Sequence, residues 1–375
     1  MSHFSNLIGI WRAWVQKLHP ACFAMVMATG IVAISCQLLG MSWFGIGLTW
    51  LNVAVFLVLW LMTLSRILLC GREVLADLMD HSRGVGLFTT IAGTCVLGSQ
   101  FILIVEHYPI AMLLWLLAVV LWVSLTYAIF TAYTVKEKKP SLAGGINGGW
   151  LVAVVATQAV SNLGVLLLPQ FGAYRPLILF ACLSLWLFGI MLYIWLIVLI
   201  FYRYMFFPFS PCDLAPTYWI NMGAMAISTL AGTALILRGG DFGLVRELAP
   251  FIEGCTILCW ATATWWIPML VVLGVWRCFY ERRKPAYDPL YWGAVFPLGM
   301  YTACTLRLFE VTHQPFLAQI ARWFIYVALT AWLLTFIGFL HGVSRRLVGL
   351  TRERPGEDTL RKDRGPWAAG SPRPC

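Results

Sequence analysis

Charge is the scarcest resource in this sequence. Lys, Arg, Asp and Glu together make up 11% of the 375 residues, where a soluble protein carries roughly a quarter. So little polar surface excludes a free-standing soluble fold and makes lipid the expected solvent. Histidine is nearly as rare, with six in all, and none is paired inside an apolar run. Without paired histidines or clustered carboxylates, a haem- or quinone-linked membrane oxidoreductase has nothing to build on. The 11 cysteines are scattered, with no zinc-type CxxC…CxxC spacing. They read as small lipid- or helix-facing residues. No metal, cofactor or catalytic residue is expected.

What the chain has instead is hydrophobic length. Apolar runs of bilayer thickness recur ten times, near 20–40, 46–68, 85–105, 109–133, 146–168, 176–201, 215–237, 248–275, 290–309 and 321–343. This predicts an all-α integral membrane protein of ten transmembrane helices, joined by short loops as five hairpins. Three regions follow: an amphipathic segment over 1–18 lying at the membrane surface, with Phe4, Leu7, Ile10, Trp11, Trp14, Val15 and Leu18 on its apolar side; a transmembrane domain over 19–345; and a basic, Pro- and Gly-rich disordered tail over 346–375.

The few charges are unevenly placed. Arg12 and Lys17, then Arg66, Arg72 and Arg83, then Lys136, Lys138 and Lys139, then Arg203, then Arg277, Arg282, Arg283 and Lys284, and finally the tail, all fall on one side. The other side holds Arg175, Arg238, Arg246, Arg307 and Arg322. Excess Lys and Arg mark the cytoplasmic face. Both termini are therefore expected in the cytoplasm, in the inner or plasma membrane. The net charge of +10 reflects this asymmetry and does not indicate nucleic-acid binding.

Odd and even runs differ in kind. Gly, Ala, Ser and Thr dominate the odd ones, as in GVGLFTTIAGTCVLGSQ; Leu and Trp dominate the even ones, as in AMLLWLLAVVLWVSL. Small residues allow helices to pack closely in a membrane and bulky ones face lipid. The odd helices should form an inner ring and the even ones an outer ring. The odd runs hold no Asp, Glu, Lys or His between their ends. Their polar groups include Thr29, Thr94, Thr157, Asn162 and Ser228. A pathway lined this way is neutral and narrow, favouring throughput over tight capture.

Two stretches are more specific. HPACFAMVMATGIVAI at 19–34 and WGAVFPLGMYTACTLRL at 292–308 resemble the first- and ninth-helix motifs of the tellurite-resistance/dicarboxylate transporter family. That family includes fungal malate permeases, sulfite efflux pumps, bacterial tellurite-resistance proteins and plant slow anion channels, and the resemblance spans roughly 18–345. It implies a quasi-fivefold ring of hairpins whose odd helices line a central pore, assembled as a homotrimer. The implied cargo is a small anion: a C4-dicarboxylate such as malate, sulfite, chloride, nitrate or a tellurite-type oxyanion. Passage is expected to be passive, or proton-coupled as in a symporter. The resemblance also implies that Phe296 plugs the pore. One departure is Ala28, where the family's first helix usually has glycine; the added methyl is expected to narrow the pathway.

Helical spacing sets Phe296, Met300, Ala303 and Arg307 on one face. Pro297 removes a backbone hydrogen bond and crowds the carbonyl of Gly293, so it should bend the helix and position Phe296. Arg307 at the outer mouth either draws anions in, snorkels to the interface, or pairs with Glu310. Phe23 is a candidate second constriction, and Thr29, Gly30, Thr94, Thr157, Asn162 and Ser228 complete the expected lining. His19 sits at the cytoplasmic entrance, as a pH-sensitive group or a polar anchor.

Overall fold

Ten long helices follow the ten apolar runs in a computed structural model that describes residues 11–12, 14–280 and 287–352. They are α1 (Ala24–Leu38), α2 (Ser42–Leu69), α3 (Phe88–Leu103), α4 (Tyr108–Val135), α5 (Val152–Leu166), α6 (Arg175–Phe206), α7 (Ile220–Gly239), α8 (Gly243–Tyr280), α9 (Trp292–Thr312) and α10 (Pro315–Arg352). No strand occurs among the described residues. The expectations for Phe4, Leu7 and Ile10, for Arg282, Arg283 and Lys284, and for the tail beyond 352 lie outside the described residues.

Nine helices among the described residues are long and apolar enough to cross a membrane; α9 falls short. Trp292, Pro297 and Arg307 dilute its apolar run. It does not need lipid-facing apolarity, because α1, α7 and α10 pack around it. From Trp292 to Thr305 every residue but Ala294 is buried.

The inner helices touch in a closed circuit: α1 on α3, α3 on α5, α5 on α7, α7 on α9, and α9 back on α1. Each even helix packs on the odd helix before it, and α10 also reaches α1. The most apolar stretches of α1, α3, α5 and α7 are 78% to 94% buried, against 11% to 39% for the even helices. The alternation of small and bulky residues thus sorts the helices into an inner and an outer layer.

Each inner helix is entered through a 3-10 turn: Pro20–Phe23, Gly84–Leu87, Gly148–Leu151, Pro216–Trp219 and Pro289–Tyr291. The turns touch one another in sequence, and the last touches the first. Three are capped by the preceding side chain, which accepts a backbone N–H. The caps are His19 (3.1 Å to Ala21 N), Asn147 (2.8 Å to Gly149 N) and Asp288 (2.9 Å to Leu290 N). Glycine lets neighbouring turns meet backbone to backbone. A Cβ on Gly148 would fall 2.5 Å from the Thr217 carbonyl oxygen, and one on Gly86 would fall 2.9 Å from Ala21 N.

Outer helices hold inner ones by indole hydrogen bonds. Trp122 of α4 donates to Thr157 Oγ1 of α5 (2.8 Å), Trp260 of α8 to Thr305 Oγ1 of α9 (3.0 Å), and Trp332 of α10 to Thr29 Oγ1 of α1 (3.0 Å). Trp186 of α6 reaches the Ser228 carbonyl of α7 at 2.8 Å. The link between α2 and α3 is built differently. Asn52 donates to Gln100 Oε1 (2.7 Å), and Gln100 donates to Thr49 Oγ1 (3.0 Å). In a membrane interior such groups need protein partners, since no water is at hand.

The loop between α2 and α3 is a folded unit. A short helix, Gly71–Leu78, carries Asp77 between Arg66 and Arg83, each 2.6 Å away. Burial alone would raise the Asp77 carboxyl; hydrogen bonds from Arg83 and Arg66 outweigh it and hold it below its usual range. Gln16 of the N-terminal helical segment donates to Glu73 of that helix at 3.1 Å.

Candidate functional site

A cavity of about 190 Å³ runs into the centre of the ring from the C-terminal ends of the inner helices. Every helix of the inner layer contributes to its wall and no helix of the outer layer does. Ile31, Cys95, Ala159, Ile227 and Met300 represent α1, α3, α5, α7 and α9 in that order. On α9 the lining runs from Met300 to Glu310, ten residues or roughly 15 Å of helix. The surface is mainly aliphatic, with Ser99, Asn162 and Thr233 as neutral polar groups and Arg238, Arg307 and Glu310 as charged ones.

Phe296 lies one helical turn beyond Met300, toward the N-terminal ends, and is 1% exposed. No lining residue of α9 lies deeper than Met300. Pro297 beside it nests against α7: a Cβ on Gly223 would sit 2.7 Å from the proline Cγ. Gly293 looks toward Thr217 and Ile220 at the entry to α7. The Ser35 hydroxyl of α1 donates to the Gly299 carbonyl at 2.9 Å and fixes the other side of α9.

Of the remaining residues expected along the pathway, Asn162, Met300 and Arg307 meet in the cavity wall. Others turn away from it. Phe23 packs edge-on against Phe56 and Trp60 of α2, with ring centroids at 6.0 and 5.4 Å. Gly30 faces Val96, Asn52 and Gln100. The Thr29 and Thr157 hydroxyls receive the indoles of outer helices. Thr94 and Ser228 bond their own helices, at the Thr90 and Ala224 carbonyls (both 2.7 Å). Ala303 is buried and is not part of the wall.

Arg307 is bound to Glu310 at 2.6 Å, with side chains 26% and 35% exposed. The pairing open to it from helical spacing is the one the structure shows. Arg238, which the sequence places only among the charges of the non-cytoplasmic side, also lines the cavity, beside Gly239 and Gly240 at the end of α7.

Near the N-terminal ends, His19 Nδ1 accepts the Ala21 N–H and is therefore unprotonated there. Burial, then the Arg83 charge, lower its pKa from the usual value. Arg203 is buried and donates to the Tyr218 hydroxyl and the Ile146 carbonyl, both at 2.6 Å. Several basic residues that mark topology in the sequence are thus also structural.

The sequence profile of the family described as voltage-dependent anion channel matches residues 17–340. An uncharacterized transporter of Methanocaldococcus jannaschii is 26% identical over 331 residues, covering 86% of this chain and 92% of that protein. A sulfite efflux pump of Trichophyton rubrum is 22% identical over 356 residues, covering 87% of this chain and 90% of that protein. An uncharacterized membrane protein of Mycobacterium tuberculosis is 37% identical over 139 residues, which is 37% of this chain and 70% of that protein.

Proposed function

Because this chain belongs to the voltage-dependent anion channel family, we propose that it carries a small anion across the membrane along the axis of its own inner ring, with Phe296 as the closing group. The observation that carries this reading is the cavity walled by all five inner helices and by no outer helix. It reaches in to Met300, and the fully enclosed Phe296 ring follows one turn deeper. An aromatic ring at that depth obstructs an anion by bulk and offers it no hydrogen bond. Rotation about χ1 clears the way without moving the helix, which Pro297 and Gly223 lock in place.

The cargo is a small oxyanion or halide. Sulfite is the member of that class named for a relative. Among the described residues, the charged groups lining the cavity are Arg238, Arg307 and Glu310, all toward its open end. The wall therefore offers no relay of ionisable groups toward Phe296, which favours channel-like passage over proton coupling by the protein itself. The open end faces outward and both termini are cytoplasmic. Three chains associate through their apolar outer helices, each keeping its own pathway.

The test is electrical recording of purified protein in planar bilayers. Phe296→Ala is expected to raise anion conductance at least about tenfold, if the ring holds roughly 1.4 kcal/mol or more of the barrier. Equal conductance and flux in the two proteins would remove Phe296 from the gate. Cation selectivity would overturn the anion reading.

A further inference from the structure

We infer that Arg238, together with Asn162, forms the anion-recognition station of the outer vestibule, and that Arg307 does not. The inference rests on the anion-passage reading above and assigns the group that selects the cargo's sign.

The argument begins with charge. Three charged side chains reach the cavity: Arg238, Arg307 and Glu310. Arg307 and Glu310 neutralise one another across 2.6 Å. To an approaching anion that pair is a dipole, with its carboxylate as close as its guanidinium. Arg238 is exposed and makes no hydrogen bond or ion pair among the described residues. The net positive charge of the mouth is therefore Arg238's. A single fixed cation at the mouth of a cavity with low-dielectric walls concentrates anions from solution.

Asn162 supplies the second element. It is 7% exposed, lines the same cavity on α5, and its amide has no hydrogen-bond partner among the described residues. The other neutral polar groups of the wall are occupied: Ser99 donates to the Cys95 carbonyl (3.0 Å) and Thr233 to the Leu230 carbonyl (2.8 Å). A buried amide facing open space is incomplete without a ligand or water. Its NH₂ donates to an oxyanion or halide, while Arg238 is placed on α7, the helix packed against α5.

The volume fixes the state of the cargo. About 190 Å³ holds an anion together with several waters, each of which takes about 30 Å³ in the liquid. The station therefore receives a partly hydrated anion and leaves final dehydration to the constriction at Phe296. A charge at the mouth and one neutral donor within give weak, sign-selective capture, as throughput requires.

The experiment compares chloride and sulfite conductance of the full-length protein in bilayers at about 10 mM and about 1 M salt, where the Debye lengths are about 30 and 3 Å. It uses both the wild-type and the Phe296→Ala background. Arg238→Gln is expected to lower low-salt anion conductance about three- to tenfold and to lose that deficit at high salt. Arg238→Lys should restore it, because charge and not fork geometry is at work. Replacing the pair together, Arg307→Gln with Glu310→Gln, should change conductance less than about twofold by the same reasoning. Asn162→Ala should raise the anion concentration for half-maximal current at both salt levels, since a hydrogen bond is not screened. Anion current that is indifferent to Arg238→Gln, or lost with the neutralised pair, overturns the assignment and leaves the passage reading standing. No anion current in either background overturns both.

Discussion

Asp77 shows what a residue can do in a chain so short of carboxylates. Arg66 has a side chain only 7% exposed and depends on Asp77 for its counter-charge. Asp77→Asn leaves that guanidinium buried and unpaired, which costs about 3–5 kcal/mol. A large fall in melting temperature in detergent is the expected result, and a stability equal to wild type would contradict it. His19 gives a pH signature. Its folded pKa is lowered, so it contributes stability that is present above its unfolded value of about 6.5 and lost as pH falls below it. His19→Asn keeps a capping oxygen and does not titrate. Melting temperature should drop between pH 7 and 5.5 in the wild type and stay flatter in the variant. Asp77, also held low, adds acid sensitivity only below about pH 4.

At the scale of elements, the sequence shows which helices are inner and hides how they are rotated. Small residues, and the lack of Asp, Glu, Lys and His between the ends of the runs, single out α1, α3, α5, α7 and α9. These helices are buried on nearly all sides, however, so no amphipathic period records which face meets the axis. That is why Thr29 and Thr157, obvious polar positions, turn out to face the outer layer, and Gly30 the contact between α2 and α3. Asn162 and Met300 meet the cavity, and nothing in the local pattern distinguishes them. Two cap residues of the entry turns stand directly before a proline, His19-Pro20 and Asp288-Pro289; the closure of the turns into a ring depends on long-range contacts no single segment carries. That closure is sensitive to one methyl group. Gly148→Ala forces a Cβ against the backbone of the next turn and should destabilise the protein by about 1–3 kcal/mol, measured as a shift in thermal unfolding. Trp122→Phe, which removes one indole bond, should cost about 1 kcal/mol.

For the whole molecule, orientation is the property most directly open to test. Among the described residues nine cysteines are free, and of these Cys278 alone is exposed, at the end of α8. The proposed cytoplasmic termini would place that end of α8 in the cytoplasm too. A membrane-impermeant maleimide should label the wild type more than Cys278→Ser in inside-out vesicles and equally in intact cells. The reverse pattern would invert the topology. Native mass measurement in detergent should find three chains, and a monomer would remove that part of the proposal.

The indole bonds between layers have one further effect. They turn the Thr29, Thr157 and Thr305 hydroxyls to the outer layer, while aliphatic side chains such as Ile31, Ile227 and Met300 make up most of the cavity wall. Scaffold and conduit are therefore written in different residues. A substitution in the cavity wall is expected to leave the barrel around it fastened, so that the lining can change by single steps while the fold persists.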